Sequence, residues 1–208
     1  LTRMGEICQK YQVKVVSDEI HADFVFKGKH QVFAAISKEF ADFTITCTSP
    51  SKTFNLAGLQ ISNIFIPNEK LRKAFQTEID KTGYDEPNAL GIVACEAAYR
   101  AGEDWLDQLR AYLLKNLNFL RNFLQEKIPQ IHLVEPEGTY LVWLDCSELG
   151  ITGEELDQFI VDKAGLWLDG GSMFGPSGAA FQRVNIACPR ATLQLALDKL
   201  KTAVDSLK

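Results

Sequence analysis

Residues 43–55 read Phe-Thr-Ile-Thr-Cys-Thr-Ser-Pro-Ser-Lys-Thr-Phe-Asn, and this segment decides the fold class. Its first part is apolar and β-branched, as in a buried strand, and a polar turn follows at Ser49. An earlier run, Val13-Lys14-Val15-Val16, likewise ends in Ser17-Asp18-Glu19. Ligands of open α/β sheets bind outside the carboxyl ends of strands. The sequence therefore predicts an α/β fold in which Asp18 and Lys52 lie near each other.

The rest of the chain predicts further strands and several helices. A third strand is expected at Leu59–Ile66. A helix is expected from residue 103 to 127, where leucines recur at intervals of three and four, which is typical of core packing and carries no chemistry: Leu106, Leu109, Leu113, Leu117, Leu120 and Leu124. The following pattern predicts strands at 132–134 and 140–145, a helix at 153–164, two short strands and a final helix at 189–207. Thr152-Gly153-Glu154-Glu155 fits a capping box in which Thr152 is the N-cap.

Composition excludes several classes of protein and partner. The 208 residues are 46% hydrophobic and 24% charged, as in folded globular proteins, and the formal net charge is −5. An acidic chain is not expected to bind nucleic acid or an anionic membrane, since both need clustered Lys and Arg. No apolar run approaches the roughly 20 residues that span a bilayer.

The cysteines favour a reducing compartment. They are odd in number and widely spaced, and they lie within apolar stretches: Cys8, Cys47, Cys95, Cys146 and Cys188. Such cysteines are typical of reduced core residues, so a cytoplasmic location is expected. No pair has the spacing of metal ligands, and no metal site is predicted.

Five segments carry chemical information when they are taken together. They are 17–23 (Ser-Asp-Glu-Ile-His-Ala-Asp), 49–55, 137–143 (Glu-Gly-Thr-Tyr-Leu-Val-Trp), 170–175 (Gly-Gly-Ser-Met-Phe-Gly) and 181–190 (Phe-Gln-Arg-Val-Asn-Ile-Ala-Cys-Pro-Arg). In this order they resemble class I/II aminotransferase-fold enzymes that use pyridoxal 5′-phosphate (PLP). Within that group they look most like the carbon–sulfur β-lyases of the MalY, PatB and cystalysin type.

The resemblance implies a fold and a domain organisation. The fold is the α/β fold type I of PLP-dependent transferases. Residues 1–90 are expected to form the C-terminal part of the PLP-binding large domain, and 91–208 a connecting helix and the C-terminal α+β small domain. The family's phosphate loop and ring-stacking aromatic precede the strand that ends at Asp18. The chain is therefore expected to be a fragment that is inactive alone, and the intact protein a homodimer.

The resemblance also assigns residues to the cofactor. Asp18 keeps the pyridine nitrogen protonated, and Lys52 attaches the cofactor covalently and then removes the substrate Cα proton. Ser49 and Ser51 suit the phosphate. Alone, a strand-end Asp is more often a turn residue and a Lys a solvated surface charge. Because the five segments occur together and in this order, the cofactor roles of Asp18 and Lys52 are preferred over these ordinary ones.

Two positions depart from the family pattern. His21 stands where a Tyr often contacts the cofactor's phenolic oxygen, which favours the lyase branch and leaves His21 open between cofactor contact and an ordinary loop residue. Gln60 replaces an Arg that often clamps the phosphate. The acidic residues around His21, Asp18 and Asp23 among them, could also suggest a metal site, but no further His or Cys motif completes one.

The C-terminal segments are expected to bind the substrate. Arg183 matches the family arginine for the substrate α-carboxylate, to which a planar guanidinium can donate two parallel hydrogen bonds. Gly138 and Tyr140 either border the substrate side chain or serve strand packing. Arg190, at the start of the last helix, is expected to be structural.

These assignments predict β-elimination from a small amino-acid substrate such as cystathionine or cysteine, with thiol, pyruvate and ammonia as products. The alternative within enzymes is a class I/II aminotransferase. A second alternative is a regulatory or binding protein that keeps this fold without catalysis.

Overall fold

A computed structural model describes residues 1–84 and 86–207. The chain divides into two compact units, unit 1 (Leu1–Asp107) and unit 2 (Gln108–Lys208). This division lies within a long helix, and the domain boundary predicted after residue 90 stays a prediction. None of the helices in the described ranges has the length and apolar character needed to cross a bilayer.

Unit 1 places a small sheet among helices. Its strands are β1 (Val15–Asp18), β2 (Thr44–Thr48) and β3 (Asn63–Phe65), and its helices are α1 (Thr2–Lys10), α2 (Lys38–Asp42), α3 (Pro50–Thr53), α4 (Glu69–Thr82), α5 (Ala89–Ala101) and the start of α6 (Glu103–Lys127). Short 3-10 turns lie at Phe33–Ala35 and Ala57–Leu59. The helix predicted over 103–127 is thereby confirmed.

The sheet has the strand order β1-β2-β3. β1 runs parallel to β2 with Asp18 opposite Cys47, so the carboxyl ends of both strands lie at one edge. β3 is antiparallel to β2. The strand predicted over Leu59–Ile66 is confirmed only at Asn63–Phe65, and its predicted extent is wrong. Leu59 ends a 3-10 turn, and Gln60 has a left-handed backbone with φ 49°, outside the β region.

A phenylalanine cluster forms the core beneath β1. Phe33, Phe40 and Phe43 are buried and contact Cys8 and Val15. The rings of Phe33 and Phe40 stack with centroids 5.5 Å apart. Burying each such side chain contributes about 1.5–3 kcal/mol, so this cluster holds the start of β1, at Val15, against α2.

Unit 2 is an α+β layer. It holds the remainder of α6, the strands β4 (His132–Val134), β5 (Leu141–Asp145), β6 (Asp169–Gly170) and β7 (Phe181–Asn185), and the helices α7 (Glu154–Asp162) and α8 (Arg190–Asp205). The strand order is β4-β5-β7-β6, with every neighbouring pair antiparallel. The elements predicted after residue 130 are confirmed, with ends that differ by one or two residues.

The capping box predicted at Thr152 is wrong. The N-cap of α7 is Gly153, which has φ 60° and ψ −131° and no side chain to cap the helix. Its backbone N–H donates to the carbonyl of Ala179 at 2.7 Å. Glycine adopts such a positive φ without strain, so the backbone places Thr152 one residue outside the helix start.

The leucine face of α6 is the centre of the unit 2 core. Leu113, Leu117, Leu120 and Leu124 are at most 2% exposed. Buried side chains of the sheet and the other helices complete this core, including Val142, Leu144, Leu156, Ile186, Leu193, Leu197 and Leu200. Truncating one such leucine to alanine typically costs about 2–5 kcal/mol. The predicted core role of the stripe is confirmed in unit 2.

Candidate active-site residues in the two units

Asp18 ends β1 with an exposed carboxylate. Its Oδ1 accepts a hydrogen bond from the backbone N–H of Ile20 at 3.2 Å, which turns the chain away from the sheet. Burial, and then the negative charge of Asp18, raise the pKa of the Cys47 thiol across the strand pair. Cys47 therefore stays neutral at physiological pH, and Asp18 supplies the charge at this edge.

Lys52 lies on a capped turn directly after β2. Ser49 is the N-cap of α3, where its Oγ accepts from the N–H of Ser51 at 3.0 Å, and Pro50 occupies the first turn. The Ser49 hydroxyl also lies 2.7 Å from the Ser51 hydroxyl and 2.7 Å from the carbonyl oxygen of Ile61. Ser49 is buried and Lys52 is exposed. The motif Ser-Pro-Ser-Lys thus forms a rigid turn that presents the Lys52 amine.

The residues after Lys52 anchor this turn. The Thr53 hydroxyl donates to Oδ2 of Asp23 at 2.7 Å. The Phe54 ring has its centroid 5.8 Å from the ring of Tyr99 and 5.8 Å from that of Trp105. A Cβ added at Gly102 would lie 2.4 Å from the Phe54 ring. The turn that carries Lys52 is therefore tied to the loop after β1 and to the end of α5.

A pocket of about 480 Å³ opens at the carboxyl ends of β1 and β2. Its lining includes side chains from the loop after β1, from the end of β2 and the turn after it, and from β3 and α5: Glu19, Ile20, Ala22, Asp23, Thr48, Ser49, Asn63, Phe65 and Tyr99. Burial raises the pKa of Tyr99, while hydrogen bonds to Thr48 and Asn63 act in the opposite direction. Tyr99 is therefore a neutral phenol in this pocket.

The two departures from the family pattern have ordinary surroundings. His21 is half-buried, and its ring centroid lies 6.3 Å from that of Phe24. Gln60 is exposed. A cofactor contact of His21 stays a prediction. At position 60 the chain offers an amide and no positive charge.

Glu19 is a structural residue whose role the sequence did not reveal. Its buried carboxylate accepts from the Ser17 hydroxyl at 2.9 Å and from the N–H of Phe33 at 3.2 Å, and it pairs with His30 Nε2 at 2.8 Å. Its partners span a long loop, so no local motif marks them.

In residues 1–84 and 86–207 no three metal-ligating side chains converge.

Arg183 lies on β7 and forms an ion pair that the sequence did not predict. Its Nε and Nη2 donate to Oδ2 of Asp169 at 3.0 and 2.8 Å. The guanidinium carbon lies 4.7 Å from the centroid of the Phe174 ring. Asp169 was missed because it lies outside the motif, 14 residues before Arg183.

Two glycines shape the loop that carries Phe174. A Cβ on Gly171 would lie 2.1 Å from the carbonyl oxygen of Gly178, and a Cβ on Gly178 would lie 2.2 Å from that of Gly171. Only residues without a Cβ permit this approach. The Gly-Gly-Ser-Met-Phe-Gly motif therefore closes a tight loop beside Arg183.

Gly138 and Tyr140 lie just before β5, and both are half-buried. Burial raises the pKa of Tyr140, so it is neutral at physiological pH. The N–H of Ile186 donates to the carbonyl oxygen of Tyr140 at 2.9 Å. This hydrogen bond supports strand packing for the Tyr140 backbone, and contact of either residue with a substrate stays a prediction.

Arg190 has a structural set of contacts, as the sequence indicates. Its Nε donates to Oδ1 of Asn116 at 2.9 Å, and its guanidinium lies 4.3 Å from the centroid of the Phe119 ring. Asn116 is fully buried, and its Nδ2 donates to the carbonyl oxygens of Ile186 and Cys188, each at 2.9 Å. This network fixes the connection from β7 to α8.

Comparison with known proteins identifies the family. Residues 1–200 match the family model of aminotransferase class I and II. The chain is 43% identical over 205 residues to the cystathionine beta-lyase PatB of Bacillus subtilis, covering 98% of this chain and 53% of that protein. It is 31% identical over 207 residues to the protein MalY of Escherichia coli, covering 99% of this chain and 52% of that protein.

The fold agrees with a solved structure. Cystalysin from Treponema denticola, whose crystal structure contains PLP, matches with a TM-score of 0.96 and 37% identity, over 100% of this chain and 53% of that chain. The predicted fold is confirmed. The chain spans about half the length of the relatives it matches. On this evidence the chain belongs to the aminotransferase class I and II family.

Proposed function

We propose that the full-length protein containing this chain is a PLP-dependent carbon–sulfur β-lyase. It cleaves cystathionine or a cysteine-like amino acid to a thiol, pyruvate and ammonia, with one water molecule consumed in the hydrolysis that follows elimination of the thiol. The observation that carries the proposal is the placement of Asp18 and the Lys52 turn at the carboxyl ends of two adjacent parallel strands. The 43% identity to a cystathionine beta-lyase supports the same reaction.

The donor set of unit 1 fits PLP. The exposed Asp18 carboxylate suits a protonated pyridine nitrogen, and the exposed Lys52 amine suits covalent attachment. The hydroxyls of Ser49 and Ser51 suit the phosphate, although that of Ser49 already caps α3. Because residue 60 is Gln, this chain offers the phosphate hydroxyls and no guanidinium at that position.

Each assigned residue has a distinct chemical task. PLP, when bound, supplies an electron sink that stabilises negative charge at the substrate Cα. Lys52 Nζ removes the Cα proton as a general base, and the bond between Cβ and sulfur then breaks. Arg183 donates two hydrogen bonds to the substrate α-carboxylate and so orients Cα. Asp18 holds the positive charge of the pyridine nitrogen in place.

The same assignments lead to expectations about the oligomeric state and the cellular location of the enzyme. We expect a homodimer, as is usual for enzymes of this family, and a cytoplasmic location. The described cysteines form no disulfide, which fits a reducing compartment. The substrate is a small amino acid.

Product analysis tests the proposal. Full-length protein supplied with PLP and cystathionine should release thiol and pyruvate together, and Lys52→Ala should abolish both. Lys70→Ala, which removes another exposed lysine of unit 1, serves as the control and should retain activity. If 2-oxoglutarate is converted to glutamate without release of thiol, the protein is an aminotransferase and the lyase proposal fails.

A further inference from the structure

Asp169 and Arg183 face each other across two strands of unit 2. They are register partners in the antiparallel pair of β6 and β7, a position in which opposite charges stabilise a sheet. Nε and Nη2 of Arg183 both donate to Oδ2 of Asp169, at 3.0 and 2.8 Å. A guanidinium carries five N–H donors, and this pair uses two of them along one edge.

The Phe174 ring covers one face of the same guanidinium. The Phe174 ring lies 4.7 Å from the guanidinium carbon of Arg183. Trp143 packs edge-on against Phe174, with centroids 5.0 Å apart. Because Gly171 and Gly178 close the loop tightly, Phe174 is held where it makes this contact. The arginine is therefore fixed along one edge and on one face.

The remaining donors of Arg183 point to a ligand. Within residues 1–84 and 86–207, Nη1 makes no hydrogen bond. The N–H groups at the outer end of the guanidinium form a fork that matches the two oxygens of a carboxylate. The side chain of Arg183 is 27% exposed, so part of it is accessible to a ligand.

We propose that Asp169 is a positioning residue for substrate binding, holding Arg183 so that its outer end receives the substrate α-carboxylate. The inference rests on the proposed function, which gives Arg183 that ligand. Asp169 cannot help by charge, because its carboxylate repels the substrate carboxylate. It helps by orientation, since a flexible arginine would lose rotamer freedom on binding.

Substitutions at Asp169 separate orientation from charge. In the full-length protein, Asp169→Ala removes the acceptor, and the KM for cystathionine should rise about tenfold while kcat stays within about twofold. Asp169→Asn keeps a neutral acceptor and should return the KM to within about threefold of wild type. If both variants lower the KM, the carboxylate acts as a competitor and the proposal is overturned.

A matched control addresses general damage to unit 2. Glu135 pairs with Arg121 through two hydrogen bonds of 2.6 and 2.8 Å, far along the sequence from Asp169. Glu135→Ala should leave the KM unchanged, and an equal increase would contradict a specific role of Asp169. If Asp169→Ala does not fold, as judged by circular dichroism, Asp169→Ser carries the same expectation, because its side chain is too short to span to the guanidinium.

Arg183→Gln distinguishes failure of this inference from failure of the proposed function. A raised KM for Arg183→Gln, together with an unchanged KM for Asp169→Ala, overturns only the positioning role. An unchanged KM for Arg183→Gln overturns the assignment of Arg183 itself, on which the inference rests. A raised KM in both variants, with rescue by Asp169→Asn, supports the proposal.

Discussion

The hydroxyl of Thr53 donates a hydrogen bond of 2.7 Å to the carboxylate of Asp23. Thr53 follows Lys52 directly, and Asp23 lies in the loop that begins at Asp18, so this bond joins the two segments to which the cofactor is assigned. Thr53 is 1% exposed, whereas Asp23 is half-buried and lines the pocket at the strand ends. The bond therefore adds to the parallel pairing of β1 with β2 in holding the Lys52 turn near the loop after Asp18.

Thr53→Val should loosen that link. The substitution keeps the shape of the side chain and removes the donor to Asp23, which should lower the free energy of unfolding by about 1–3 kcal/mol. Urea denaturation of the purified chain measures the loss. Thr77→Val is the control, because the Thr77 hydroxyl bonds only within its own exposed helix, to the Lys73 carbonyl. Equal decreases in the free energy of unfolding for both variants would show that the hydrogen bond to Asp23 contributes no more than the helical hydrogen bond of Thr77.

Gly102→Ala should displace Phe54 and with it the Lys52 turn. The added methyl group would lie 2.4 Å from the carbonyl oxygen of Ala98 and 2.4 Å from the Phe54 ring, and overpacking of this kind costs about 1–3 kcal/mol. Gly58→Ala provides the comparison, since a Cβ at Gly58 meets no heavy atom within 4 Å. Thermal unfolding of both variants checks the difference, and a Gly102→Ala chain as stable as wild type would contradict the described contact.

The buried thiol of Cys146 should make unit 2 less stable at high pH. Burial, and then the charge of Asp145, raise the pKa of Cys146 from 9.0 to about 12. The folded state favours the neutral thiol. The stability that the buried neutral thiol contributes is therefore fully present below pH 9 and is lost as the pH rises from 9 towards 12. Between about pH 8 and about pH 10.5 the loss should be about 2 kcal/mol.

Replacing Cys146 isolates this effect from other groups that titrate in the same range. The unfolding free energy of Cys146→Ala should fall less than that of wild type between the two pH values. If Cys146→Ala has the wild-type slope, the thiol does not carry the pH dependence.

The 208-residue chain on its own should bind PLP weakly and turn over little substrate. It spans about half the length of PatB, so a cofactor site built from the whole length of such an enzyme would be incomplete in it. Titration of the chain with PLP, followed by visible absorbance, measures the affinity. Steady release of pyruvate by the purified chain would contradict this expectation.

Much of the site followed from local sequence. β-branched runs that end in polar residues placed Asp18 and Lys52 at strand ends. This was possible because the residue pattern of a strand and the polar residues that end it are both local features of the sequence. The order of the motifs along the chain then identified the fold. The spacing of leucines likewise predicted α6 and its buried face.

Other features depend on backbone conformation or on distant partners. The left-handed Gln60 interrupts a run that otherwise has the pattern of a strand. Gly153, and not Thr152, starts α7 because its positive φ fits the connection from Ala179. The pair of Asp169 and Arg183 forms between separate strands, and no periodic pattern marks such a pair.

Covalent attachment of PLP to Lys52 is the direct test of the role assigned to this residue. Full-length protein is mixed with PLP, reduced with borohydride, digested and examined by mass spectrometry, with Lys52→Ala as control. A phosphopyridoxyl group on the peptide that contains Lys52, absent from the variant, is the predicted result. A modification on other lysines that persists in Lys52→Ala, or no modification at all, would contradict the account.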